Sequence, residues 1–142
     1  METLGIYSFK DCTGLTTVKL SSNLKNMYMG CFYNCGFKNI ELPESVITLG
    51  NKVFQQCKKL ETIEIPSKVE ILPEYALYQC TALTSVIIPT SVKTINSFAF
   101  NLSTNLKNVY YMGSEADWNL ITVDLTKNSV LAAATINYNY SK

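Results

Sequence analysis

The chain has 142 residues, of which 47% are hydrophobic and 16% are charged, so it is long and apolar enough for one domain with a continuous core and is neither a disordered chain nor a polar linker. Its net charge is +1, with twelve lysines, no arginine and no histidine, which gives no electrostatic reason to expect nucleic acid and removes the commonest general base and metal ligand. No apolar run approaches the ~18 residues that a membrane span requires, so membrane insertion is not expected.

The N-terminal residues 1–5 contain no basic region followed by an apolar stretch, so no signal peptide is predicted. Repeating sequence begins at Leu4, and the first unit enters at its convex half without a strand of its own. The strand predicted at residues 15–20 would therefore be an exposed sheet edge. We expect a partner chain, including a second copy of this one by self-association, or upstream repeats of a longer protein to cover this N-terminal edge.

The cysteines mark the repeat. Cys12, Cys35, Cys57 and Cys80 lie 23, 22 and 23 residues apart, and another 23 residues lead to Ser103. Three residues before each of these positions stands a large apolar side chain: Phe9, Phe32, Phe54, Leu77 and Phe100. Units of this size cannot bury their own apolar face, so copies must stack with equivalent residues over one another. The spacing predicts a solenoid with interior ladders of phenylalanine and cysteine.

Each unit contains three kinds of segment. Residues 60–66 match residues 83–89, with earlier copies at 15–21 and 37–43 and a last copy, without proline, at 106–112. Their alternation predicts short strands, ended by proline, in a parallel sheet with strands roughly 4.8 Å apart. The V-x-x-I stretch that follows should turn the chain across a second side. The A-F-x-x-C stretch predicts a short helical turn with the phenylalanine facing inward.

The last part of the chain has the features of a cap. Ser114 and Asp117 fit a capping box, and the ring of Trp118 would cover the last turn of the solenoid. Residues 121–125 and 135–140 alternate like strands. The second segment should place three side chains on one face: Ile136, Tyr138 and Tyr140.

The unit I-x-I-P-x-S-V-x-x-I-x-x-x-A-F-x-x-C-x-x-L-x-x-V resembles the BspA-type leucine-rich repeat of bacterial surface proteins, and its clearest copy runs from Val86 to Phe100. The tail Tyr110-Tyr111-x-Gly113-x-x-x-x-Trp118 is similar to the segment that often closes such arrays in gut Firmicutes. The resemblance covers residues 4–112.

This resemblance implies a strand-rich, α/β-type leucine-rich-repeat solenoid. It would be a right-handed coil of 22–23-residue repeats with a parallel concave sheet and short helical turns. The array of four to five repeats would occupy residues 1–112 and the cap residues 113–142. The resemblance also implies a bacterial protein at the cell surface or secreted, with adhesion to host or bacterial proteins as its role.

The cysteines allow two interpretations, metal ligands or disulfides on one side and core residues on the other. Metal sites prefer close pairs such as C-x2-C, whereas these cysteines follow the repeat period and no histidine accompanies them. Cys31, four residues before Cys35, occupies a column of small residues beside Phe32. The periodic spacing favours an interior ladder of free thiols, which behave as small hydrophobes. We expect no metal and no cofactor.

Catalysis finds no support in the sequence. Serine and threonine lack a histidine base, and no G-x-S-x-G turn exists. Glu41 and Glu64 occupy one column of neighbouring repeats, but two carboxylates act as acid and base only in a cleft that raises the pKa of one of them. We therefore expect no enzyme.

The outward positions of the predicted strands form two columns. The first is small and polar: Thr17, Asn39, Thr62, Ser85 and Asn108. The second changes from charged to apolar: Lys19, Glu41, Glu64, Ile87 and Tyr110. Aromatic and apolar residues on a polar sheet are favoured at protein contacts.

We therefore predict a protein-binding site on this face, made of eight residues: Asn39, Glu41, Thr62, Glu64, Ser85, Ile87, Asn108 and Tyr110. Two alternatives stay open. One is a solvated face with two incidental hydrophobic residues. The other is a structural spacer whose ligand surface lies on upstream repeats.

Overall fold

The computed structural model describes all 142 residues and contains ten short strands and two short helices. The strands are β1 (Thr3–Leu4), β2 (Asn26–Met27), β3 (Thr48–Leu49), β4 (Thr62–Glu64), β5 (Ile71–Leu72), β6 (Ser85–Ile88), β7 (Thr94–Ile95), β8 (Asn108–Tyr111), β9 (Thr122–Val123) and β10 (Thr135–Asn137). The helices are α1 (Glu115–Trp118) and α2 (Ser129–Ala133). Every strand pair is parallel and joins equivalent positions of successive turns, as a solenoid requires.

The first side of the solenoid is a four-stranded parallel sheet in the order β10-β8-β6-β4. One row of side chains in register faces the core: Ile63, Val86, Val109 and Ile136. The predicted strand at residues 15–20 does not form, and neither does one at 37–42. A single backbone hydrogen bond, from the Glu61 amide to the Lys38 carbonyl (2.8 Å), links the second copy to β4. The edge of this sheet is therefore β4.

The second side consists of two three-stranded parallel sheets, β1-β2-β3 and β5-β7-β9. Their strands are only two residues long, and in five of the six the second residue is buried: Leu4, Met27, Leu49, Leu72 and Ile95. The V-x-x-I stretches thus do more than turn the chain, because they also pair between successive turns of the solenoid.

The third side differs from the predicted short helical turns. In a typical turn, the amide of Phe54 donates to the carbonyl of Ala76 in the next turn (2.9 Å), while the amide of Val53 donates to a carbonyl three residues earlier (3.2 Å). Lys52 and Gln56 adopt left-handed backbone conformations, with φ of 62° and 61°. A right-handed helix cannot pass through such residues, so this side is a stack of turns.

The interior is one continuous cluster of 33 buried hydrophobic residues, which confirms the predicted ladders. The rings of Phe9 and Phe32 stack at a centroid distance of 5.4 Å, and those of Phe32 and Phe54 at 6.1 Å. Cysteine thiols donate to carbonyls of the phenylalanine column one turn back, each over 3.1 Å: Cys35 to Phe9, Cys57 to Phe32 and Cys80 to Phe54. Ser103 continues the ladder by donating to the carbonyl of Leu77 (2.5 Å). All five cysteines are free, and no group of three or more metal-ligating side chains comes together.

We expect four of the five thiols to be unreactive in the folded protein. Burial raises the pKa of Cys31 and Cys80 from 9.0 to about 12 and the pKa of Cys35 to about 11, and it also raises the pKa of Cys57. Only Cys12 is partly exposed. Alkylation at pH 8, followed by mass spectrometry, should therefore label one thiol quickly and the others at the rate of unfolding.

The same shifts predict how stability depends on pH. The folded chain keeps these thiols protonated above the ordinary thiol pKa. Their contribution to the free energy of unfolding is therefore complete below pH 9 and is lost as the pH rises towards 12.

In the alkylation experiment, fast labelling of two or more thiols without unfolding would contradict the buried ladder.

The C-terminal cap adds a turn to two sides of the solenoid, since β9 pairs with β7 and β10 pairs with β8. The capping box is confirmed: the Asp117 amide donates to the Ser114 hydroxyl (3.1 Å), and the Ser114 amide donates to the Asp117 carboxylate (3.2 Å). The ring of Trp118 packs edge-on against Tyr111 at 5.1 Å. Neither helix has the length and apolar character that crossing a bilayer requires.

The shared face predicted for Ile136, Tyr138 and Tyr140 is wrong for the last residue. Ile136 and Tyr138 pack against the core, whereas the ring of Tyr140 lies 5.1 Å from that of Tyr110 on the outer face of the sheet. The strand ends at Asn137, and Asn139 adopts a left-handed conformation (φ 55°) that breaks the alternation.

Candidate functional site

We use the term outer sheet face for the solvent side of the sheet β4-β6-β8-β10 together with the adjoining residues 39–44. Strand register places Thr62, Ser85 and Asn108 in one row and Glu64, Ile87 and Tyr110 in the other. Asn39 extends the first row, because the Thr62 hydroxyl donates to its side-chain oxygen over 3.2 Å. Glu41 lines the same groove as Glu64. The structure thus brings all eight predicted site residues to one face.

The outer sheet face contains a groove with a volume of about 610 Å³. On the side of residues 39–44, the lining of the groove includes Glu41 and Glu44. On the side of the C-terminal cap, it includes Tyr110 and Tyr140. Between them the lining is supplied by the central strands: Thr62, Glu64, Ser85 and Ile87. Carboxylates, small hydroxyl groups and two aromatic rings are suited to recognition by charge, hydrogen bonding and aromatic contact.

Two residues of the first copy, Thr17 and Lys19, lie outside this groove. They line a separate depression of about 550 Å³ between the first two copies, together with residues 39–43. This depression lies where the strands predicted at 15–20 and 37–42 do not form.

The C-terminal tail, residues 140–142, lies against the outer sheet face. The Tyr140 amide donates to the Tyr111 carbonyl (2.9 Å), which brings the Tyr140 ring beside Tyr110. The Lys142 ammonium then forms an ion pair with Glu64. Sequence reasoning missed both roles, because the tail lies outside the repeat and no periodicity places its side chains.

Charge in the groove is fixed by local contacts. The Ser67 hydroxyl and amide both donate to the Glu44 carboxylate (2.5 and 3.0 Å), and the hydroxyl bond chiefly lowers the pKa of Glu44. The bond and charge of Glu64 raise the pKa of Lys142. At neutral pH the groove therefore carries a carboxylate at Glu44 and an ammonium at Lys142.

A second exposed surface was not predicted from the sequence. Five large hydrophobic side chains line a depression of about 770 Å³ on the second side: Ile6, Tyr28, Met29, Ile47 and Ile71. Each stands at an outward position of an early turn, and scattered exposed hydrophobic residues give no periodic signal in a sequence.

The comparisons with known proteins agree with this architecture. Six copies of the BspA type leucine rich repeat region match residues 1–120, a match that ends within the predicted cap. No curated protein matches the chain.

Solved structures show the same fold. A leucine rich cell surface protein from Faecalibacterium prausnitzii is 32% identical over 86% of this chain and 32% of its own length, with a TM-score of 0.83. A leucine-rich repeat protein from Bacteroides ovatus is 29% identical over 78% of this chain and 30% of its own, with a TM-score of 0.73. The T. pallidum leucine rich repeat protein is 23% identical over 99% of this chain and 70% of its own, with a TM-score of 0.73. These likenesses confirm the predicted leucine-rich-repeat solenoid, and the chain spans about a third of the first two structures' length.

Proposed function

This chain belongs to the BspA-type leucine-rich repeat family, as its repeats indicated, and from that premise we propose that it is a non-enzymatic protein-interaction module of a bacterial cell-surface or secreted protein. It binds an extended segment of a host or bacterial protein through the outer sheet face. The similarity to a cell surface protein of Faecalibacterium prausnitzii supports the location.

The outward position of Ile87 and Tyr110, both partly exposed, carries this proposal. They lie directly opposite each other on adjacent strands, and the ring of Tyr140 adds to the same apolar area. Small polar residues surround them, such as Ser85 and Asn108. An apolar and aromatic centre with a polar border is typical of protein interfaces.

A structural spacer is the second candidate. The chain spans only about a third of the length of the first two related structures. The further repeats of such a longer protein would offer other ligand surfaces, which favours a spacer role for this part. The tail also covers part of the outer sheet face through Tyr140 and Lys142. Self-association through the N-terminal end stays a prediction.

We expect a paired substitution, Ile87→Lys with Tyr110→Asp, to weaken binding about tenfold or more by removing the apolar centre. Peptides of twelve random residues, displayed on phage and selected on the wild-type protein, provide defined ligands. Their dissociation constants are then measured by fluorescence anisotropy for both proteins.

The matched control is Ile71→Lys with Tyr28→Asp, which makes the same chemical changes on the second side at side chains that are 50% and 43% exposed. It should change affinity less than about twofold, and circular dichroism should show both variants folded. Selected peptides that bind the Ile87/Tyr110 variant as well as the wild type would refute the proposal. Loss of peptide binding in the control variant alone would indicate that the binding site lies on the second side of the solenoid.

A further inference from the structure

The groove on the outer sheet face is acidic although the chain as a whole is not. Glu41, Glu44 and Glu64 line it, and the one basic side chain that forms an ion pair with any of them is Lys142 of the C-terminal tail. The net charge of the whole chain is +1, so the carboxylates are a local feature. Glu44 is also held in place by Ser67, which fixes one carboxylate at the groove without neutralising it.

The chain itself places a cation in this groove. The Lys142 ammonium pairs with Glu64, and Glu44 adds to the attraction. Two residues earlier, the ring of Tyr140 rests at 5.1 Å from Tyr110. An extended segment with an aromatic residue followed two positions later by a cation therefore fits the face, because the tail is such a segment.

We propose that the outer sheet face selects an extended, basic partner segment in which an aromatic side chain contacts Tyr110 and a lysine or arginine pairs with Glu64 and Glu41. This inference rests on the proposed function and names the chemical class of the partner. The tail occupies the same positions and competes with that segment. Exposed ion pairs are individually weak and are screened by salt, so binding depends on several contacts and falls with ionic strength.

The test uses a fluorescent peptide with two Tyr-Ser-Lys units separated by glycines, and a matched peptide with Tyr-Ser-Glu units. We expect the lysine peptide to bind the intact chain more tightly than the glutamate peptide by about tenfold at low salt. Equal binding of the two peptides would overturn the proposal. Preferential binding of a neutral oligosaccharide, chitohexaose, would also overturn it by showing a different ligand class.

Three variants separate the contributions. Glu41→Gln with Glu64→Gln should weaken binding of the lysine peptide about fivefold, because two ion pairs are lost. Lys142→Gln should strengthen it about threefold, since the competing ammonium is removed. The control, Glu70→Gln with Glu74→Gln, makes the same change in total charge away from the groove and should have little effect.

The variants also distinguish this inference from the proposed function. Suppose that the Ile87/Tyr110 variant loses peptide binding, while the Glu41/Glu64 variant and Lys142→Gln bind the peptide as the wild type does. The outer sheet face is then the binding site, and the selection of a cation is wrong. If none of these variants alters binding, both are wrong.

Discussion

Replacing Phe54 by alanine should lower the free energy of unfolding by about 3–5 kcal/mol. Phe54 is 1% exposed and stacks on Phe32 at 6.1 Å, and its ring also lies 6.4 Å from Phe37 in an edge-on arrangement. The substitution removes a large buried surface and leaves a cavity between turns that cannot close, because the backbone ladders fix the spacing of the turns. Urea unfolding followed by circular dichroism measures the loss.

The control is Leu120→Ala, since Leu120 is 81% exposed. It should change the free energy of unfolding by less than about 0.5 kcal/mol. A loss below about 1 kcal/mol for Phe54→Ala would mean that the phenylalanine ladder is not a close-packed core. Because each turn contacts only its neighbours, hydrogen exchange should quicken most in the turns that contain Phe32 and Leu77.

The ladders could be predicted from the sequence because stacking converts a repeat period directly into contacts. Residues 22 or 23 apart must lie over one another once the units coil, so the positions of Phe32 and Phe54 followed from counting. The two outward rows followed equally well, since side chains alternate along a strand and successive strands are in register. This is why the eight predicted site residues lie together.

The stacked turns could not be predicted in the same way. Left-handed conformations are usually signalled by glycine or asparagine, yet they fall here on Lys52, Gln56, Tyr75 and Gln79 among others. Hydrogen bonds between turns hold these residues in place, as between the Gln56 amide and the Tyr78 carbonyl (2.8 Å). Those bonds depend on tertiary stacking and leave no mark on the local sequence.

The tail and the cap lie outside the period for a related reason. Tyr140 and Lys142 reach the outer sheet face only because the chain turns at Asn139 after β10. The side chain of Asn128 accepts a hydrogen bond that a main-chain carbonyl of the next turn accepts in the earlier turns. The repeat does not specify a side chain in this role, so the sequence pattern could not predict these contacts.

Asn128 closes the third side of the solenoid. Its side chain is fully buried, and its oxygen accepts a hydrogen bond from the Phe100 amide (3.1 Å). Its amide group donates to the carbonyls of Asn96 (3.1 Å) and Asp124 (3.3 Å). In the earlier turns, the equivalent amides donate to the main chain of the following turn, as Leu77 does to Ala99 (2.7 Å).

Replacing Asn128 by alanine should therefore lower the free energy of unfolding by about 1–3 kcal/mol, because it leaves the buried Phe100 amide without a partner. The carbonyls of Asn96 and Asp124 keep the hydrogen bonds that they accept from the Ala99 and Lys127 amides. Urea unfolding measures the loss, and hydrogen exchange should quicken at the Phe100 amide first. Ser129→Ala is the matched control on the adjacent residue, which is exposed and makes only a 3.5 Å hydrogen bond to Asn101; it should cost less than about 0.5 kcal/mol. Asn128→Asp keeps the acceptor for Phe100 but sets a carboxylate against the Asn96 carbonyl, so at neutral pH it should be no more stable than the alanine variant. Full stability of the aspartate variant would show that only the acceptor matters, and full stability of the alanine variant would show that Asn128 does not close the solenoid.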